Sequence, residues 1–191
     1  MTIAGLYEVE IRYNVGIPTR DGLELSANLW MPVRRGSRLQ SGNRRGSRRG
    51  SRLQTTNGEK EKFPAILEMI PYRKDDWRCI SDHQRMTYFA QRGYVGCRLD
   101  IRGTGSSPGI ALDEYTPDET RDGYDAVEWL AAQPWCNGHV GMWGISYGGF
   151  TSIQVAMLQP PHLKAIIPMY ATDDRYTDDV HYLGGCMTAS E

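Results

Sequence analysis

A chain of 191 residues, 40% hydrophobic and 24% charged, is long enough for one domain with a real core and too apolar to be disordered. No run approaches the roughly 18 apolar residues of a membrane helix, and MTIAGLYEVEIRYN lacks the basic start and apolar stretch of a signal peptide, so a cytoplasmic protein with no membrane partner is expected. The net charge of −1 hides two unlike regions: residues 34–62 hold ten of the 22 Lys+Arg and two of the 23 acids, which leaves the rest of the chain at −9.

LYEVEIRYNVGIPTRDGLELSANLWMP reads as two strands around a turn. Tyr7, Val9, Ile11 and Tyr13 alternate along the first, and Leu23, Leu25, Ala27 and Leu29 along the second. Pro-Thr-Arg-Asp-Gly between them is turn chemistry. Next, RRGSRLQ occurs at residues 34 and 48, and RRGS again at 44. A Gly/Ser/Arg repeat with little apolar content cannot bury a core. Its charge raises a nucleic-acid hypothesis, but it lacks interleaved aromatics and sits between two strands. It therefore reads as an inserted, solvated loop, and nucleic acid is not the expected partner.

From Phe63 short apolar runs alternate with amphipathic stretches. FPAILEMIP reads as a buried parallel strand. DHQRMTYFAQRG reads as a helix capped by Asp82 and stopped by Gly93, and YVGCRLDIRG as a second strand. TPDETRDGYDAVEWLAAQ is a helix starting at Thr116-Pro117, HVGMWGIS a third strand, YGGFTSIQVAMLQ a helix ended by Pro160-Pro161, and LKAIIPMYA a fourth strand. The alternation predicts an α/β fold with a mostly parallel sheet and an N-terminal antiparallel strand pair. Cys79, Cys97, Cys136 and Cys186 are widely spaced and read as reduced thiols. No clustered Cys/His set suggests a metal, and no cofactor is implied.

Gly144-Ile145-Ser146-Tyr147-Gly148 matches G-x-S-x-G, and it lies where that motif needs to lie, between an apolar strand and a helix. A nucleophile on so sharp a turn leaves no room for side chains around it, and Gly144, Gly148 and Gly149 meet that demand. The helix that begins at Tyr147 aims its first N–H groups at the serine, favouring developing negative charge. Ser146 is thus the candidate nucleophile. DIRGTGSSPG lacks the complete G-x-G-x-x-G of a dinucleotide site and reads as a structural loop with Asp100 and Arg102 bonded locally.

PYRKDDW at 71–77, DIRGTGSSPG at 100–109, QPWCNGHVGMWGISYGGF at 133–150 and TDDRYTDDVHYLGG at 172–185 together resemble the CocE/NonD hydrolases, the cocaine-esterase-like and X-Pro dipeptidyl-peptidase-like α/β-hydrolases. The resemblance covers roughly residues 7–33 and 63–188, and the Arg-rich tract departs from it. It implies an α/β-hydrolase fold carrying Ser146 as nucleophile, with the Tyr147 N–H and the Tyr72 phenol as the oxyanion hole. Residues 1–171 would be the N-terminal part of the hydrolase domain, with 34–62 inserted, and 172–191 the start of a helical cap. Asp178 and Asp179 then fall where some relatives hold a substrate ammonium, although a solvated helix start capped by aspartates is the plainer reading.

α/β-Hydrolases order their triad Ser, then Asp or Glu, then His. Counted along a strand at about 3.3 Å per residue, His139 lies roughly 23 Å from Ser146. Along a helix at 1.5 Å per residue, His162 lies roughly 18 Å away. Nothing directs His83 to the elbow. His181 is the one downstream histidine at the correct end of the sheet, but its D-D-x-H-Y matches a cap element of the family. The triad acid and histidine are therefore expected to be lacking and the fold to be an incomplete hydrolase. The expected substrate is a small ester or X-Pro peptide, turned over in a truncated form of doubtful activity. The alternatives are an inactive remnant and an interaction protein using the Arg-rich loop. Self-association, or pairing with a complementary C-terminal chain, would serve the unpaired sheet edge.

Overall fold

The computed structural model describes residues 6–34, 61–76, 79–179 and 181–187. Its first two strands, β1 (Tyr7–Pro18) and β2 (Glu24–Arg34), form the antiparallel pair expected from their alternation. The turn closes through Gly22 N–H donating to the Thr19 carbonyl at 3.0 Å, with Gly22 at φ +88°. Most of the Arg-rich tract lies outside the described residues. Its two ends are side by side, because the Arg34 guanidinium at the end of β2 donates to Glu61 at 2.8 Å.

Five further elements alternate as the hydrophobic pattern requires: β3 (Phe63–Ile70), α1 (Cys79–Ala90), β4 (Val95–Asp100), α2 (Pro117–Ala132) and β5 (Cys136–Ile145). They are followed by α3 (Tyr147–Met157) and β6 (Leu163–Met169). The six strands form one sheet in the order β1-β2-β4-β3-β5-β6, with β4, β3, β5 and β6 mutually parallel. Period-2 alternation divides the core. Leu67, Met69, Cys97, Leu99, Val140 and Met142 pack with Val127 and Leu130 of α2 and Val155 of α3. On the opposite face Trp30 and Trp143 pack with Met86 and Ala90 of α1.

Two local expectations change. Helix α1 starts at Cys79, so Asp82 is no cap: it is 3% exposed and ion-paired with the buried Arg98 of β4. A charge on the inner face of a central strand has to be neutralised across the layer, and that need overrides the local capping pattern. The segment read as the opening of a helical cap is, among the described residues, a turn at 174–178 followed by the hairpin β7 (Tyr182–Leu183) and β8 (Cys186–Met187). Gly184 and Gly185, at φ +58° and +80°, make that hairpin turn. No helix of the described residues is long and apolar enough to cross a membrane.

Candidate active site

The chain runs from β3 to β4 on one side of the sheet, then crosses back over β3 to β5. The carboxyl ends of β3 and β5 therefore flank the switch point of the sheet, where open α/β sheets place their ligands. Tyr72 follows β3 and Ser146 follows β5, so the two sit at neighbouring strand ends.

Ser146 has φ 57° and ψ −119°, a strained conformation for a side-chain-bearing residue and the one a nucleophile elbow imposes. Its N–H donates to the Met169 carbonyl at 2.8 Å, while its own carbonyl accepts from Gly149 at 2.7 Å and Phe150 at 3.0 Å. The surrounding glycines are sterically required. A Cβ on Gly144 would lie 2.3 Å from the backbone of Gly148, and one on Gly149 would lie 2.8 Å from the Met169 carbonyl oxygen.

The loop bearing Tyr72 is fastened by Asp100 at the end of β4. The Asp100 carboxylate accepts from Lys74 N–H at 2.6 Å and from Ser106 N–H at 2.9 Å, so one side chain joins the loops after β3 and β4. Lys74 is 2% exposed, and its ammonium donates to Asn14 at 2.8 Å and to Asp75 at 2.5 Å. Arg102 leaves its own loop and makes a two-pronged bond to Asp122 of α2, at 2.6 Å in each arm. The Gly-x-Gly loop is thus a clamp between layers.

Beneath the elbow, the Tyr147 phenol donates to Glu119 at 2.8 Å and accepts from the Tyr115 N–H at 3.0 Å. The Tyr115 ring stacks on Tyr147 with centroids 4.1 Å apart, and Tyr72 meets Tyr147 edge-on at 6.4 Å. Glu119 is 2% exposed and its Oε1 has no hydrogen-bond partner. Burial pushes its carboxyl up to about 7, against the downward pull of the Tyr147 hydrogen bond. Burial also raises the Tyr115 and Tyr147 phenols, keeping both neutral. The sequence reading missed Glu119. Thr116-Pro-Asp-Glu119 has the form of a helix-capping box, and Thr116 does accept from the Glu119 N–H at 3.3 Å. The Glu119 side chain is drawn to Tyr147.

Ser146 opens onto two cavities. One, about 500 Å³, is lined by Tyr72, Tyr115, Ser146, Tyr147 and His181, with Asp113 and Glu114 on its wall. The other, about 570 Å³, is lined by Ser146, Phe150, Tyr170, Asp178 and Asp179 among others. The two expected substrate carboxylates differ in kind. Asp178 is exposed. Asp179 has a solvent-inaccessible side chain whose Oδ1 accepts from the His181 N–H at 2.8 Å and pairs with His181 Nδ1 at 2.9 Å. Its Oδ2 faces the Arg175 guanidinium at 3.9 Å. Burial disfavours its charge, but the two His181 bonds and Arg175 outweigh that and hold the carboxyl below its ordinary value.

Of the other histidines, His139 is on β5 well before its end, and His162 precedes β6 and pairs with Glu128 at 2.7 Å. His83 lies on α1, with Trp30 Nε1 donating to its Nδ1 at 3.3 Å. No group of three or more His, Cys, Asp or Glu among the described residues could hold a metal ion.

With this geometry in place, comparison with known proteins is decisive. The profile of the X-Pro dipeptidyl-peptidase (S15) family matches residues 50–191. The chain belongs to that S15 family. A Mycobacterium tuberculosis protein (strain CDC 1551 / Oshkosh) named as a presumptive serine esterase is 36% identical to this S15 member over 123 residues, covering 64% of this chain and 19% of its own length. The cocaine esterase of Rhodococcus sp. (strain MB1 Bresler) is 35% identical over 130 residues, 65% of this chain and 22% of its own. The crystal structure of a CocE/NonD family hydrolase from Staphylococcus aureus superposes with a TM-score of 0.70 at 26% identity, covering 95% of this chain and 31% of that one. The S15 chain has the α/β-hydrolase fold and the CocE/NonD likeness expected from its motifs. It spans about a fifth of the length of the curated relatives it matches.

Proposed function

We propose that this S15-family chain is the nucleophile-bearing part of a serine hydrolase that opens ester or X-Pro peptide bonds through an acyl-enzyme on Ser146. The observation that carries the reading is the strained Ser146 backbone at the carboxyl end of β5, beside the strand that leads into Tyr72. Ser146 Oγ attacks the carbonyl carbon, and the oxygen takes the negative charge between the Tyr147 N–H and the Tyr72 hydroxyl. The intermediate then expels the alcohol or amine, and water releases the acyl group. In the family order, the triad acid and histidine follow the serine. Relatives named as a cocaine esterase and as a Xaa-Pro dipeptidyl-peptidase bracket the substrate class.

The test is fluorophosphonate labelling and p-nitrophenyl butyrate hydrolysis by the purified chain beside Ser146→Ala. Labelling and turnover confined to the parent chain support the reading, and labelling that survives Ser146→Ala ends it. In an active preparation Tyr72→Phe lowers acylation by about 10²–10³-fold, the usual consequence of removing one oxyanion donor.

A further inference from the structure

We propose that the groove beside α1, on the sheet face opposite α2 and α3, is a docking site for an amphipathic helix with acidic flanks, supplied by a second polypeptide. The inference stands apart from the role of Ser146, which does not line this groove.

Helices α2 and α3 cover one face of the sheet, and α1 packs against β1, β2 and β4 on the other. Beside α1, over β5 and β6, lies a cavity of about 480 Å³. Tyr88 and Phe89 of α1 form its wall, and Ile66, Trp143 and Ile167 of the strands line its floor. Ile167 is 60% exposed, although its register partner Trp143 is 5% exposed beneath Phe89 and Arg85. An apolar sheet face is stable only when another layer covers it. Strands lie about 4.8 Å apart and a helix is about 10 Å across, so the span from β5 to the free edge of β6 takes one helix.

The floor also has a dip that nothing in this chain requires. Gly141 and Ala165 are register partners on β5 and β6. A Cβ on Gly141 would meet only the Ala165 carbonyl oxygen, at 3.6 Å, which is ordinary contact. The missing side chain therefore leaves room for an apolar side chain from outside.

Charge decides the kind of partner. The chain outside residues 34–62 carries −9, yet among the described residues this groove is lined by Arg92 and Lys164 and by no carboxylate. Arg92 donates to the Tyr88 carbonyl at 3.1 Å and Lys164 to the Pro161 carbonyl at 2.7 Å, so neither charge is neutralised by these bonds. Cations beside an apolar floor select a helix with apolar residues at i, i+3, i+4 and i+7 and Asp or Glu along its flanks. A second copy of this chain in a two-fold contact would bring Arg92 and Lys164 against their own counterparts, so the charges favour a different chain.

The experiment titrates purified 191-residue chain into a labelled helical peptide of about 18 residues, five turns, with a leucine stripe and glutamate flanks, read by fluorescence anisotropy. The controls are the same peptide with lysine flanks and the glutamate peptide with its leucines scrambled. The glutamate peptide is expected to bind at least about tenfold more tightly than either control. Ile167→Glu, at an exposed position, weakens that binding about tenfold or more. The double variant Arg92→Glu, Lys164→Glu reverses the preference towards the lysine peptide, with circular dichroism confirming the fold of each protein. No binding of the glutamate peptide, equal binding of all three, or binding that ignores these substitutions overturns the proposal. Light scattering tests the other occupant: a parent dimer that Ile167→Glu returns to monomer assigns the groove to a second copy and also overturns it.

Discussion

Glu119 shows how a single residue can be tuned by its burial. Tyr147 supplies two things from one position: in the proposed mechanism a backbone N–H for the oxyanion, and a phenol that anchors the elbow to α2 through Glu119. The carboxyl binds protons more tightly in the folded chain, where its value is about 7, than at its ordinary 4.5. Between those values the folded state holds more protons than the unfolded one, so stability falls as pH rises through the window. The loss is full above the folded value. Taken over the whole shift it amounts to about 3 kcal/mol, or roughly 6–12 °C in melting temperature for a chain of this size. Glu119→Gln keeps an acceptor for Tyr147 and cannot ionise. Thermal unfolding at pH 5 and pH 8 is therefore expected to show a larger drop for the parent chain than for the variant. Parallel drops would mean that Glu119 is not the titrating group. Little of this was legible in the sequence, because a glutamate three residues after Thr116 is also what a capping box contains, and only the tertiary approach of Tyr147 decides between the two. Ser146 was legible because its constraint is local: a strained residue needs glycines beside it, and glycines can be read in order.

Among the elements, the strands and helices followed from periodicity because each has one buried face and one solvated or oppositely packed face. Where the reading slipped, the cause lay across layers. Asp82 resembles a cap, yet it answers the buried Arg98 on β4, the next element of the chain and one layer away in space. At 172–187 the aspartates suggested a helix start, while Asp174 uses its carboxylate to close a turn and Asp179 uses its own to hold His181. A contact between residues two apart is made by a turn and leaves no periodic trace. The seat of the nucleophile helix is also set across elements, by a glycine whose role is close approach. A Cβ on Gly123 of α2 would fall 2.3 Å from Val155 Cγ2 on α3 and 2.9 Å from the Met69 sulfur. Gly123→Ala therefore overpacks the α2–α3 contact, at a cost of about 1–3 kcal/mol, despite alanine's better helix propensity. Val155→Ala removes the clashing methyls, so the double variant is expected to recover part of the loss. Denaturant midpoints of the four proteins form the cycle. Additive losses with no recovery would show that the two helices are not in contact through this pair.

For the whole molecule, topology and charge decide what reaches Ser146. The strand types were readable, but the order that carries the chain back over β3 was not, because it depends on which face each crossover helix covers. That order brings Tyr72 and Ser146 to adjacent strand ends and surrounds them with acids: Asp113 and Glu114 on one cavity, Asp178 and Asp179 on the other. The net charge of −1 means that no strong long-range field steers ligands, since the Arg-rich tract offsets the acidic body. Any preference for a cation must then arise within a few ångströms of the site. Asp179 is occupied by His181, which leaves Asp178 as the exposed carboxylate of the second cavity. A cationic amino-acid ester is accordingly expected to acylate Ser146 several-fold faster than a neutral ester of the same shape. Raising ionic strength from 0.01 to 0.15 M shortens the screening length from about 30 to about 8 Å, and a contact this close survives most of that change. Asp178→Asn, in contrast, removes the preference at both salt concentrations. A preference that collapses with salt while ignoring Asp178 would place its origin in the diffuse acidic surface. Equal rates for the two esters at low salt would show that these carboxylates do not select the substrate.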